Sequence, residues 1–87
     1  MKIKGEYVLR EIAGDTLLIP VGKTALSLNG MITLDVTAAE IWKGIEEQLT
    51  EDEILQRILN RFDVPMAVAK QDLEEFLQEL RKADLLE

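Results

Sequence analysis

The sequence contains no cysteine and no histidine. Without cysteine there is no disulfide, no thiolate zinc site, no iron–sulfur cluster and no cysteine nucleophile. Without histidine the commonest general base and the commonest metal ligand are missing. Serine occurs once, at Ser27. With no histidine to activate it and no Gly-x-Ser-x-Gly turn around it, nucleophilic catalysis is disfavoured. Ser27 also lies in a strand-like stretch and not at a helix start, which makes it a poor acceptor for a phosphopantetheine arm. Aromatic residues are few, Tyr7, Trp42, Phe62 and Phe76, too few for a base-stacking platform. No apolar run approaches the ~20 residues of a membrane span, and the N-terminus lacks the continuous apolar stretch of a signal peptide, so a cytoplasmic protein with no membrane association is expected.

Positive charge is also scarce. Ten Lys and Arg face 17 Asp and Glu, a net charge of −7. Phosphate backbones repel such a chain unless its bases gather in a stripe, and these do not, so no nucleic-acid partner is expected. The excess is confined to one part: residues 1–35 hold four bases and four acids, residues 36–87 six and thirteen. The paired acids Glu46-Glu47, Glu51-Asp52-Glu53 and Glu74-Glu75 lack the alternating oxygen ligands and central glycine of a calcium loop, and read as helix starts and solvated faces. The expectation is a protein with no catalytic residue, no metal and no cofactor.

What is present is an ordinary globular balance, 47% hydrophobic and 31% charged residues. A chain of 87 residues makes one domain, 1–87, that buries only about 60 to 65% of its unfolded surface, which suits an accessory role beside a partner. The hydrophobic period changes near residue 35. Before it, short runs rich in Val, Ile, Leu and Thr are punctuated by glycine and read as three to four short strands. Gly14-Asp15 predicts a two-residue hairpin turn between Tyr7–Ala13 and Thr16–Pro20, and Pro20 belongs at a strand end or edge. Asn29-Gly30 predicts a second hairpin, between Thr24–Leu28 and Met31–Leu34.

Three helices follow. Ile41, Trp42, Ile45 and Leu49 form the apolar stripe of the first, with Asp35 or Thr37 as its cap and Trp42 in the core. Thr50-Glu51-Asp52-Glu53 is a capping box that opens the second, whose stripe is Ile54, Leu55, Ile58, Leu59 and Phe62 and whose end falls at residues 60–63. Asp63-Val64-Pro65 predicts the start of the third, with Asp63 as cap. Its stripe is Ala69, Leu73, Phe76, Leu77, Leu80 and Ala83, flanked by Val68, Asp72 and Glu79. Leu85-Leu86 returns as a short apolar tail. Strands and helices in separate blocks, 1–35 and 36–87, make the class α+β: a small antiparallel sheet capped by three helices.

A small sheet leaves an edge with unpaired N–H and C=O groups, which proteins usually blunt with charge or proline. Met31-Ile32-Thr33-Leu34 has neither. Such an edge beside a helix offers main-chain hydrogen bonds to an extended peptide and a groove for its alternate side chains. Two readings stay open on the residues alone: this addition site, or a segment paired within its own hairpin. Ile32→Pro tests the first if the Ile32 N–H points outward.

These residues resemble the PqqD family, small proteins of the pyrroloquinoline quinone pathway and its relatives. The resemblance spans nearly the whole chain. It rests on Tyr7-Val8-Leu9-Arg10-Glu11 and Gly14, on Leu17-Leu18-Ile19-Pro20-Val21-Gly22, and on Leu28-Asn29-Gly30-Met31-Ile32-Thr33-Leu34 leading to Thr37 and Ile41-Trp42. Phe62-Asp63-Val64, Asp72, Phe76-Leu77, Leu80 and Leu85-Leu86 complete it. The chain departs from the usual pattern at Asp35, at Ala38-Ala39 and at Glu47-Gln48-Leu49, where quinone-pathway members often carry Asp-Gly.

The resemblance implies a winged-helix-like fold that binds the leader of a ribosomally made precursor peptide as an added strand. Carried onto this chain, the binding residues are Met31, Ile32, Thr33 and Leu34 on the strand and Val68, Asp72, Leu73 and Phe76 on the last helix. It implies no chemistry of its own. The protein would present the precursor to a maturation enzyme, a radical S-adenosylmethionine enzyme or the leader protease of a lasso-type pathway, in quinone synthesis or a related pathway. Two alternatives remain beside it: a winged-helix DNA-binding regulator, and a self-associating structural protein that forms a homodimer through the same edge.

Overall fold

The computed structural model describes residues 1–27 and 30–87. Its elements run β1 (Tyr7–Ile12), β2 (Asp15–Pro20), α1 (Thr24–Ser27), β3 (Ile32–Leu34), α2 (Val36–Glu46), α3 (Glu51–Arg61) and α4 (Met66–Lys82). The strands form one antiparallel sheet in the order β1-β2-β3. This is the expected α+β class, a small sheet followed by helices, with three strands among the described residues.

The first hairpin turns one residue earlier than the glycine signal predicts. Ile12 pairs with Asp15, so the two turn residues are Ala13 and Gly14, with φ of 52° and 86°. Both left-handed values belong to a type I′ turn, whose twist matches that of the strands it joins. Gly14 adopts its conformation freely, whereas Ala13 accepts a strain of roughly 1–2 kcal/mol because the ladder on either side fixes the register.

The second expected hairpin is replaced. Thr24–Ser27 is a single helical turn and not a strand. Ala25 N–H donates to the Gly22 carbonyl at 3.2 Å, and Thr24 Oγ1 accepts from the Glu6 N–H at 2.7 Å, which turns the chain out of the sheet. Leu28 and Asn29, where the Asn29-Gly30 turn is expected, lie outside the described residues. β3 pairs instead with β2, Thr16 opposite Leu34, Leu17 opposite Thr33 and Leu18 opposite Ile32.

Helix starts follow the capping chemistry in two cases of three. Asp35 Oδ1 accepts from the Ala38 N–H at 2.8 Å and opens α2. Thr50 and Glu53 form the reciprocal capping box of α3, with bonds of 3.2 and 2.9 Å. α4 departs from expectation: Pro65, and not Asp63, is its cap residue, with no side-chain hydrogen bond. The fixed φ of proline supplies the entry geometry, and the Pro65 carbonyl accepts the Ala69 N–H at 3.0 Å.

α2 and α4 end alike. Gln48 and Asp84 sit at φ of 61° and 64°. Leu49 N–H reaches the Gly44 carbonyl and Leu85 N–H the Leu80 carbonyl, at 3.0 and 2.8 Å, the six-to-one bond of a Schellman motif. Gln48 thus occupies a position that glycine fills most cheaply.

One core joins the sheet to the helices. It takes Leu18 and Leu34 from the strands, Ile41, Trp42 and Ile45 from α2, Ile54 and Ile58 from α3, and Leu73, Leu77 and Leu80 from α4. Trp42 is fully buried as expected, with the Tyr7 ring edge-on at 5.7 Å. Leu85 and Leu86 are buried too, and Leu86 bridges to Ile3. α2 and α3 are also joined by charge. The buried Glu40 carboxylate lies 3.3 Å from Arg61 Nη1 and 3.8 Å from Arg57 Nη1, and Arg57 grips Glu47 with both guanidinium nitrogens. The Arg57 hydrogen bond holds the Glu47 carboxyl below its usual range, against the smaller opposing effect of desolvation. No helix among the described residues is long and apolar enough to cross a membrane.

Candidate functional site

The direction of each peptide group in the sheet follows from one bond. Val21 N–H donates to the Glu6 carbonyl at 3.0 Å, and these residues stand one step beyond the Tyr7–Pro20 pair. In an antiparallel ladder, pairs that exchange hydrogen bonds alternate with pairs that do not. Val8–Ile19, Arg10–Leu17 and Ile12–Asp15 are therefore the bonded pairs of β1 and β2. Thr16 and Leu18 then turn their N–H and C=O groups toward β3, where they bond to Leu34 and Ile32. Pro20 faces the same way but lies past the last β2–β3 pair, Leu18–Ile32, so its missing donor leaves no gap in the ladder.

Thr33 is left with its N–H and C=O pointing away from β2. No strand among the described residues pairs with that side of β3. Side chains alternate independently: Ile32 and Leu34 share the core-facing side with Leu18, while Thr33 lies on the opposite face with Leu17. Leu34 is buried, whereas Ile32 is 37% exposed.

A groove of about 300 Å³ runs along this edge. Its walls are Ile32, Thr33 and Leu34 of β3, the start of α2 through Asp35, Thr37, Ala38 and Ile41, and one stripe of α4, Asp72, Glu75, Phe76 and Glu79. The stripe exists because positions i, i+3, i+4 and i+7 of a helix fall on one side. Phe76 is half-buried, packed against the core, and forms the apolar middle of that wall.

Of the residues expected to bind, Ile32, Thr33, Leu34, Asp72 and Phe76 line the groove together. Met31 and Val68 are exposed but stand outside its lining, and Leu73 is 3% exposed inside the core, where it cannot form a groove wall. Glu75, Glu79, Asp35 and the α2 residues complete the lining beyond the expected set. The helical period counted from Asp72 would have found Glu75 and Glu79, and the contribution of α2 follows from its start directly after β3.

A larger hollow, about 800 Å³, lies over α2 and α3 between Glu40, Lys43, Glu47, Asp52, Arg57 and Arg61. Its walls are mostly charged side chains that partly pair with one another, with Leu49, Gln56 and Asn60 among them, and it has no strand edge. No group of three or more acidic side chains among the described residues is placed to hold a metal ion.

The family model of PqqD, coenzyme PQQ synthesis protein D, matches residues 6–86. Among solved structures, TbiB1 in complex with the TbiA(beta) leader peptide is similar, at 28% sequence identity and a TM-score of 0.76, covering 100% of this chain and 95% of that one. Comparison with curated proteins gives no match.

Proposed function

Because the chain belongs to the PqqD family, we propose that it is a non-catalytic binding protein that captures the leader segment of a ribosomally synthesised precursor peptide. The leader adds as a strand to the outer edge of β3 and is held between that edge and α4. The observation that carries this reading is the outward-facing peptide group of Thr33 at the floor of the groove. Main-chain bonds to Thr33 supply register, and side chains on either side of the bonded residue enter the groove opposite Ile32 and Leu34. The similarity to a protein solved with a leader peptide supports the same reading. The bound precursor is presented to a maturation enzyme, a radical S-adenosylmethionine enzyme or a leader protease, in quinone synthesis or a related pathway. Glu51, Asp52 and Glu53 at the start of α3 oppose docking of that helix on duplex DNA.

The test is a titration of isotope-labelled protein with a synthetic leader of the precursor encoded beside this gene. Amide shifts are expected at residues 31–34 and along α4 from Val68 to Glu79. A saturating titration that leaves Thr33 and the α4 stripe unmoved would overturn the proposal.

A further inference from the structure

The groove beside β3 is lined by four carboxylates and no cation. Asp35, Asp72, Glu75 and Glu79 all border it, and neither lysine nor arginine does. Two of the four are already engaged: Asp35 accepts the Ala38 N–H that caps α2, and Glu75 accepts from Gln71 Nε2 at 3.0 Å. The Asp72 and Glu79 carboxylates have no hydrogen bond or ion pair within the described residues. They stand seven residues apart on one side of α4, about 10.5 Å along its axis, with Phe76 between them.

Like charges held along one wall of a narrow groove repel each other, and they repel an acidic occupant further in a protein of net charge −7. The carboxylates are not gathered closely enough to share a metal ion. A cation carried on a long side chain meets both requirements, because its stem can lie along Phe76 while its head reaches either free carboxylate. The geometry of an added strand provides the position. Residues on either side of the one bonded to Thr33 point into the groove and are about 6.8 Å apart.

We infer that the segment this groove selects carries a lysine or arginine at a groove-facing position, directed at Asp72 or Glu79, with an apolar residue at the other groove-facing position against Phe76. This rests on strand addition at β3 and adds the chemical class of the peptide. Acidic segments are rejected at the same wall, so the charges serve discrimination and association rate as well as affinity.

The experiment is a display selection from a random twelve-residue peptide library against the full chain, run in parallel against a variant carrying Asp72→Asn and Glu79→Gln. Selected peptides are then mapped by their shift of the Thr33 amide. Peptides that move Thr33, that are enriched in Lys or Arg at one position two residues from an apolar one, and that lose at least tenfold in affinity on the variant are the expected result. The same peptides should weaken as sodium chloride rises from about 50 to 500 mM, since screening shortens the reach of exposed charges. Peptides that move Thr33 but show no Lys or Arg enrichment, or that bind the variant equally well, would overturn the inference and leave strand addition standing. Selected peptides that never move Thr33 would remove strand addition itself and the inference with it.

Discussion

Thr33 and Ile32 are neighbours on one three-residue strand, yet the ladder gives them opposite duties. The Ile32 N–H and C=O close the last β2–β3 pair, whereas those of Thr33 face the open edge. Proline removes a donor and fixes φ, and edge strands tolerate it only where the N–H faces outward. Thr33→Pro should therefore keep the fold and weaken leader binding by at least tenfold, about 1.4 kcal/mol. Ile32→Pro should lower the melting temperature by breaking a β2–β3 bond, and any loss of binding it causes follows from that. Thermal denaturation read beside an amide-shift titration separates the two. Unchanged affinity in a folded Thr33→Pro protein would place the site elsewhere. Residue order alone names the strand but not its parity, because parity depends on which residues pair across the sheet, and here the pairing turns the Ile32 N–H inward to Leu18.

Most elements that depend on local chemistry were legible in the sequence, the Ala13-Gly14 turn and the Pro65 start of α4 being the exceptions, and those that depend on distant contacts were not. The α3 capping box, the Asp35 cap, the buried Trp42 and the stripe of α4 all follow from residues within one or two turns of each other. The α1 turn does not, since it is set by Thr24 bonding back to Glu6, eighteen residues earlier. The groove was half legible: its strand and its Asp72–Phe76 face could be named, while Leu73 went to the core because one residue along a helix rotates the side chain by 100°. Gly44 shows the same limit. In the sequence it interrupts a helix; in the fold it lets α2 approach α3. A Cβ there would stand 2.7 Å from Ile54 Cγ1, and Ile54 is wholly buried. Alanine favours a helix over glycine by about 1 kcal/mol, but the overlap is expected to cost roughly 1–3 kcal/mol and to prevail. Gly44→Ala should lower the urea midpoint, and pairing it with Ile54→Ala should cost less than the sum of the two single changes. A stabilised Gly44→Ala protein would show that the two helices separate freely.

At the scale of the whole molecule, the described ends of the chain clasp each other. Lys4 N–H donates to the Leu85 carbonyl at 2.8 Å, Glu87 N–H to the Lys2 carbonyl at 2.9 Å, and Ile3 pairs with Leu86. Leu85 and Leu86 are 2% and 3% exposed, so this clasp is part of the core. The salt bridge beside it, Lys4 Nζ to Asp84 Oδ1 at 2.9 Å, is different in kind because both side chains are largely in water. The hydrogen bond to Asp84 raises the Lys4 pKa, so its contribution is complete below the ordinary lysine range and fades only as pH climbs through the raised value. Near neutral pH the apolar part of the clasp should dominate. Leu86→Ala is expected to cost about 2–5 kcal/mol, a large share of the roughly 4–13 kcal/mol that a chain of this length commands. Lys4→Met, which keeps the apolar stem and removes the charge, should leave the melt nearly unchanged at pH 7. Urea denaturation of both variants decides the matter: a lower midpoint at constant slope for Leu86→Ala alone is the expected pattern. The reverse order would mean that surface charge, and not the buried leucine, ties the last helix to the first residues of the chain.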